Sequence, residues 1–115
     1  MVLELKCSEK ELKEVASGKK KTISREVRPN NERKFCLVND AEEITGLIEY
    51  DSLLLSCKKL NASLTVEVNE IRLMEYEDEN GDLVFYDYKG EQHQKIDIDY
   101  DLGAILQRSG NIPNV

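Results

Sequence analysis

Tryptophan is absent from this 115-residue sequence, and histidine (one), proline (two) and cysteine (three) are scarce. Each shortage closes off a class of protein. Cys7, Cys36 and Cys57 are odd in number and widely spaced, with no C-x-x-C pair, and His93 is the single imidazole. A disulfide framework and a zinc site both need closely grouped ligands, so neither is expected. The cysteines read as small interior hydrophobes in a reducing, cytoplasmic setting. The longest aliphatic stretch of interest is Leu53, Leu54, Leu55, far short of the roughly 20 residues that span a bilayer. Glu4 and Lys6 interrupt the N-terminus before a signal-peptide core can form. No membrane association, metal or cofactor is expected.

What is present is a balanced globular composition, 40% apolar and 34% charged, too apolar for intrinsic disorder. A chain of this length fits one compact domain, expected over residues 1–108 with a mobile tail at 109–115. The net charge of −7 is unevenly divided: residues 1–34 hold ten Lys or Arg against six Glu, net +4, and residues 35–115 hold six against seventeen, net −11. Lys19, Lys20, Lys21, Arg25, Arg28, Arg33 and Lys34 fall within one short stretch opposed only by Glu26 and Glu32. A solvated loop explains such a run; so does an anion site, because local positive potential captures phosphate even on an acidic molecule. The acidic remainder disfavours long duplexes and favours a small or single-stranded ligand on one face.

Ser8 and Glu11 form an S-x-x-E capping box, Leu12, Val15 and Ala16 recur at helical spacing, and Gly18 stands where a left-handed terminator belongs, predicting a helix over 9–17. Residues 20–27 read as a charged-edge strand closed by a turn at Pro29, Asn30 and Asn31. Residues 35–38 suit a buried strand, and Asn39 or Asp40 a cap for a brief helical turn over 41–44. Residues 47–60 fit a strand pair or a helix equally well. Leu64, Val66 and Val68 alternate with polar residues, then Ile71 and Leu73 shift parity, predicting a strand bulged near Asn69 or Glu70. Asn80-Gly81 predicts a two-residue type I′ hairpin pairing 73–77 with 84–88. Ile96 and Ile98 predict a last strand, and Leu102, Ala104, Ile105 and Leu106 a short terminal helix.

The segment Ser17-Gly18-Lys19-Lys20-Lys21-Thr22-Ile23-Ser24-Arg25 resembles the ASCH domain signature, G-x-K-x-x-E-x-R, at a helix-to-strand junction. Gly18, Lys20 and Arg25 match its fixed positions, while Ile23 stands at the position of its Glu. Val66, Glu67, Val68 and Ile71 resemble the family's V-x-V-x-x-I strand, and Tyr100 to Leu106 its closing Y-x-L-G-x-I-L segment. The likeness runs from about Leu3 to Leu106. It implies an α+β fold of PUA-like type, a mixed or antiparallel β-barrel with one or two short peripheral helices. It also implies a cleft beside Gly18 and Arg25 for RNA or nucleotide-like ligands.

The residues themselves agree with such a ligand. Gly18 admits close backbone approach, Lys20 supplies a compact charge flanked by Lys19 and Lys21, and Arg25 and Arg28 offer planar forks for phosphate or a base edge. By strand parity Lys20, Thr22 and Ser24 share one side, and Ile23 and Arg25 the other. The leading expectation is therefore a module binding RNA, another single strand or a nucleotide through Gly18, Lys19, Lys20, Lys21, Thr22, Ser24, Arg25 and Arg28. One alternative is a small amidohydrolase of acylated nucleosides, an activity known in small ASCH proteins that use Lys, Thr and Glu. Lys20 matches the first, but Ile23 occupies the Thr position, so binding is favoured over catalysis. Another is a protein-interaction module using the acidic half. Asp97, Asp99 and Asp101 could hold a cation, but an exposed, solubilising strand face explains them better. His93 has no partner in sequence, and Tyr76, Tyr86 and Tyr88 read first as packing residues.

Overall fold

The computed structural model describes residues 1–112. The chain is mostly β with two short helices, an α+β arrangement. Its elements in order are β1 (Val2–Lys6), α1 (Glu9–Ala16), β2 (Thr22–Val27), α2 (Glu32–Phe35), β3 (Cys36–Val38), β4 (Ile44–Leu47), β5 (Ser52–Cys57), β6 (Ala62–Glu75), β7 (Phe85–Tyr88), β8 (Glu91–Gln94) and β9 (Ile96–Gly110). A mixed five-stranded sheet has the order β1-β5-β6-β9-β2, and β3-β4 and β7-β8 form two-stranded sheets. No closed barrel is found among the described residues. No helix among them is long and apolar enough to cross a membrane.

The chain divides into two compact units, residues 1–23, 49–70 and 100 onward, and residues 24–48 with 71–99. In the first, β1 and β5 run parallel from Val2↔Ser52 to Lys6↔Ser56. β5 and β6 run antiparallel from Ser52↔Glu67 to Cys57↔Ala62. Alternation places Leu3, Leu5, Leu53, Leu55, Leu64 and Val66 in the core, since successive strand side chains point to opposite faces. Residues 52–57, legible neither as helix nor as strand in the sequence, become β5 because both neighbours pair with it.

Helix α1 begins as its capping residues dictate: Ser8 Oγ accepts from Glu11 N at 3.1 Å, and Leu12 and Val15 are buried. Its end is set by Gly18, at φ +80°, whose N–H donates to Val15 O at 3.1 Å. Lys20 N then donates back to Glu14 O at 3.0 Å, folding the following turn against the helix. Removing the cap in Ser8→Ala is expected to cost about 1 kcal/mol, measured as a lower urea midpoint at unchanged slope.

In the second unit, Phe35, Cys36, Val27, Ile96 and Ile98 are buried, and burial together with the Glu32 carboxylate pushes the Cys36 thiol up. Asn39 caps a turn as expected, its Oδ1 accepting from Ala41 N and Glu43 N. The expected helical turn over 41–44 is instead a tight reversal with Glu42 at φ +62°, and the short helix forms earlier, as α2. The type I′ geometry also falls elsewhere. Around Asn80-Gly81 only Gly81 has positive φ, and Asp78 organises a longer turn, its Oδ1 accepting from Asn80 N and Asp82 N. A bridge, Glu77↔Leu83, joins the flanks there, with Val84 N donating to Tyr76 O at 3.0 Å. Positive φ at both central positions occurs at Lys89-Gly90, the turn that pairs β7 with β8.

The expected terminal helix at 102–106 is absent: residues 96–110 are one strand. Leu102 N donates to Lys21 O at 2.8 Å, one of the strand-type contacts that override the local helical spacing. A Cβ on Gly103 would run into Glu67 Oε1 and come within 2.7 Å of Asn69 Oδ1, so glycine lets those side chains lie on the strand. Strand β6 runs through residues 69 and 70, and its inward positions change parity there as expected, from Leu64 and Val66 to Ile71. Ser109 and Gly110, assigned to a mobile tail from the sequence, complete β9, and residues 113–115 lie outside the described residues.

Candidate nucleotide and anion site

The basic turn that follows α1 carries Gly18, Lys19, Lys20 and Lys21. Open space lies where a Cβ on Gly18 would point. Gly18, Lys20 and Lys21 line a cavity of about 230 Å³ whose other walls are Val15, Val66, Leu102, Gly103 and Ile105. The walls are thus mainly aliphatic, with Lys20 and Lys21 among them. Lys20 Nζ is held 3.0 Å from Glu11 Oε2, a carboxylate whose side chain is only 14% exposed. Lys19 and Lys21 are exposed.

The strand that follows does not present its polar groups to a ligand as expected. Thr22 Oγ1 donates to Asp101 Oδ1 at 3.0 Å in the first unit. Ser24 Oγ donates to Asp99 Oδ1 at 2.6 Å in the second. The parity argument for Thr22 and Ser24 holds, since both hydroxyls meet carboxylates of the adjacent strand β9. That same pairing commits them: a hydroxyl donating to a carboxylate presents lone pairs, which repel phosphate. Asp97 in turn accepts from Tyr76 Oη at 2.5 Å, and this hydrogen bond pushes the Tyr76 phenol up. Among the described residues the three aspartates do not gather into a group that could hold a metal.

Ile23 is 0% exposed. The position at which the ASCH signature has Glu is therefore core, where an unpaired carboxylate is costly. Arg25 lies on the same side of β2 by parity, half-buried, and its Nη1 donates to Ser24 O at 2.9 Å. Arg28 pairs with Glu26 at 2.9 Å and lies 4.4 Å above the Tyr86 ring. Lys20 lines the cavity of the first unit, whereas Ser24, Arg25 and Arg28 belong to the second. Of the eight residues expected to bind, Gly18, Lys20 and Lys21 are thus brought to one cavity.

The Arg28 stack belongs to a cluster that the sequence did not announce. Tyr86 and His93 are directly opposed in the β7-β8 register and stack with centroids 5.9 Å apart. Tyr88 meets the same imidazole edge-on at 6.0 Å. Burial pushes the Tyr86 phenol up, with Arg28 pulling the other way. A cavity of about 210 Å³ is lined by Arg28, Glu32, Tyr86, His93 and Gln94 among others. The Lys89-Gly90 turn was the available signal, because a two-residue loop sets Tyr86 opposite His93 by counting outward from it.

No family model, curated protein or solved structure matches this chain. What the site does is read from its side chains. An aliphatic slot rimmed by lysines suits a ligand that is flat and apolar at one end and anionic at the other. At about 230 Å³ the slot is below the ~300–1,000 Å³ of a site that encloses a whole drug-sized molecule. It therefore takes one part of a ligand and leaves the rest at the rim.

Proposed function

We propose that this protein binds a nucleotide or a single strand of RNA at the turn after α1. A base or sugar enters the slot between Val15, Val66, Leu102 and Ile105, and phosphate lies against Lys19 and Lys21. The observation that carries the proposal is the joint lining of one cavity by Gly18, Lys20, Lys21 and four aliphatic side chains. Lys20, tied to Glu11, fixes the rim, and Lys21 supplies charge without a carboxylate to displace. We further place the chain in the ASCH family with a PUA-like barrel. Supporting this are the order β1, capped α1, Gly18 terminator and β2, and the matches at Gly18, Lys20 and Arg25.

The test is titration of purified protein with uridine monophosphate at low salt, followed by NMR chemical shifts. Binding at the slot should move the amides of Val15, Gly18, Lys21 and Leu102. Lys20→Gln combined with Lys21→Glu should weaken it by about tenfold or more, the loss of one charge-assisted contact. Unchanged affinity in that variant would remove the proposal.

A second reading, hydrolysis of an acylated nucleoside, gains support from one observation. Thr22 Oγ1 lies 3.0 Å from Asp101 Oδ1, a hydroxyl with a base in reach, which is the arrangement nucleophilic catalysis requires. Incubation with N-acetylcytidine tests it: turnover abolished by Thr22→Val supports hydrolysis, and no turnover by the unaltered protein eliminates it.

A further inference from the structure

A concavity of about 1060 Å³ lies at the other end of α1, where the β1-α1 turn faces the β5-β6 turn. Its lining includes Lys6, Lys10, Lys13, Lys58 and Lys59, with Glu9 the single carboxylate among the described residues. In a chain of net charge −7, five ammonium groups around one groove are a local reversal of sign. They converge by topology. Lys6 ends β1, Lys10 and Lys13 stand on α1, and Lys58 and Lys59 sit in the turn after β5, which β1 flanks in parallel. No short sequence window contains more than a few of them.

Part of this charge is drawn to one carboxylate. Glu9 is shared between Lys13 at 2.9 Å and Lys59 at 3.5 Å, and the Lys13 hydrogen bond holds its carboxyl below the usual carboxylate range. Lys10 and Lys58 are exposed. Ser56, Ser63 and Ser109 add hydroxyls to the wall, and no aromatic ring among the described residues lines it. Bases are held by stacking or by donor and acceptor patterns, whereas lysines and hydroxyls hold phosphate oxygens. The groove is chemically suited to backbone and not to bases.

We propose that this lysine groove is a second binding site, for the phosphodiester backbone of a single-stranded nucleic acid. It rests on the nucleotide reading above for the identity of the polymer, and it adds that the ligand is a strand. The slot at the C-terminal end of α1 takes one nucleotide, and the groove at the N-terminal end takes phosphates farther along. The eight-residue helix separates them by about 12 Å at ~1.5 Å per residue. Recognition in the groove is independent of base sequence and falls with salt.

The experiment compares uridine monophosphate with a labelled oligouridylate of about 12 nucleotides, within the ~4–16 of a single-strand module, over a range of salt. Lys10→Gln with Lys58→Gln keeps helix propensity and touches only exposed side chains. This variant should lose about tenfold in oligonucleotide affinity at low salt and lower the salt slope by about 1.4, two phosphates at ~0.7 each. Mononucleotide affinity should not change. Cys7, which is half-buried and lines the groove, gives a readout of place: oligonucleotide should slow its alkylation by iodoacetamide, and the mononucleotide should not. Unaltered oligonucleotide affinity and slope in the double variant would overturn the groove while leaving the slot intact. Loss in that variant with indifference to Lys20→Gln/Lys21→Glu would uphold the groove and overturn the slot. No binding of either ligand to the unaltered protein would overturn both.

Discussion

Ile23→Glu is expected to leave the protein unfolded at room temperature. The substitution places an acid where the ASCH signature has one, and in a chain with that site exposed it would be harmless. Here the side chain is fully buried, and neighbouring Thr22 and Ser24 already direct their hydroxyls to Asp101 and Asp99 on the other side of the strand. Arg25, the nearest cation on that side of β2, already donates to Ser24 O, and burying a charge costs several kcal/mol even after relaxation. That is comparable with the whole stability of a small domain, about 5–15 kcal/mol. Loss of amide dispersion in a proton–nitrogen NMR spectrum and a collapsed thermal transition are the expected results. Ile23→Val, which removes one methylene, should cost only about 0.5–1.5 kcal/mol and keep the spectrum. If Ile23→Glu melted within a few degrees of the parent, the assignment of this residue to the core would be wrong.

Leu12→Ala carries the second large effect. Leu12 is 0% exposed and anchors an eight-residue helix too short to be stable alone, since isolated helices below about 12–15 residues are marginal in water. Truncation leaves a cavity as well as lost burial, expected to cost about 2–5 kcal/mol, measured as a lower urea midpoint. The consequence reaches function, because α1 forms a wall of both the slot and the lysine groove. In the fraction that stays folded, mononucleotide and oligonucleotide binding should weaken together. Lys10→Gln, on the exposed side of the same helix, should stay within about 0.5 kcal/mol of the parent. A Leu12→Ala protein as stable as the parent would show that the sheet does not depend on this helix.

Local chemistry made much of this molecule legible. Ser8, Leu12, Val15 and Gly18 are enough to place α1, because a cap, a spacing and a terminator act within a dozen residues. Leu64 and Val66, and Ile96 and Ile98, mark strands through a period of two that burial on one face imposes. The Thr22 and Ser24 side of β2 was correct for the same reason. The failures are also local in cause. Leu102, Ala104, Ile105 and Leu106 have helical spacing, yet pairing in the sheet holds them extended. Asn80-Gly81 has the residues of a type I′ turn, but Asp78 captures the backbone N–H groups first, and the tight turn forms at Lys89-Gly90.

The sequence by itself determined where α1 starts and stops, which side of β2 is polar, and that a basic turn follows Gly18. Those depend on contacts among near neighbours. Only the tertiary structure decided what the charges do. Thr22 and Ser24 meet carboxylates some 79 and 75 positions away, and lysines from three separate segments meet in one groove. Neither pairing is written in any short window, because it is the order of strands in the sheet that sets which side chains become neighbours.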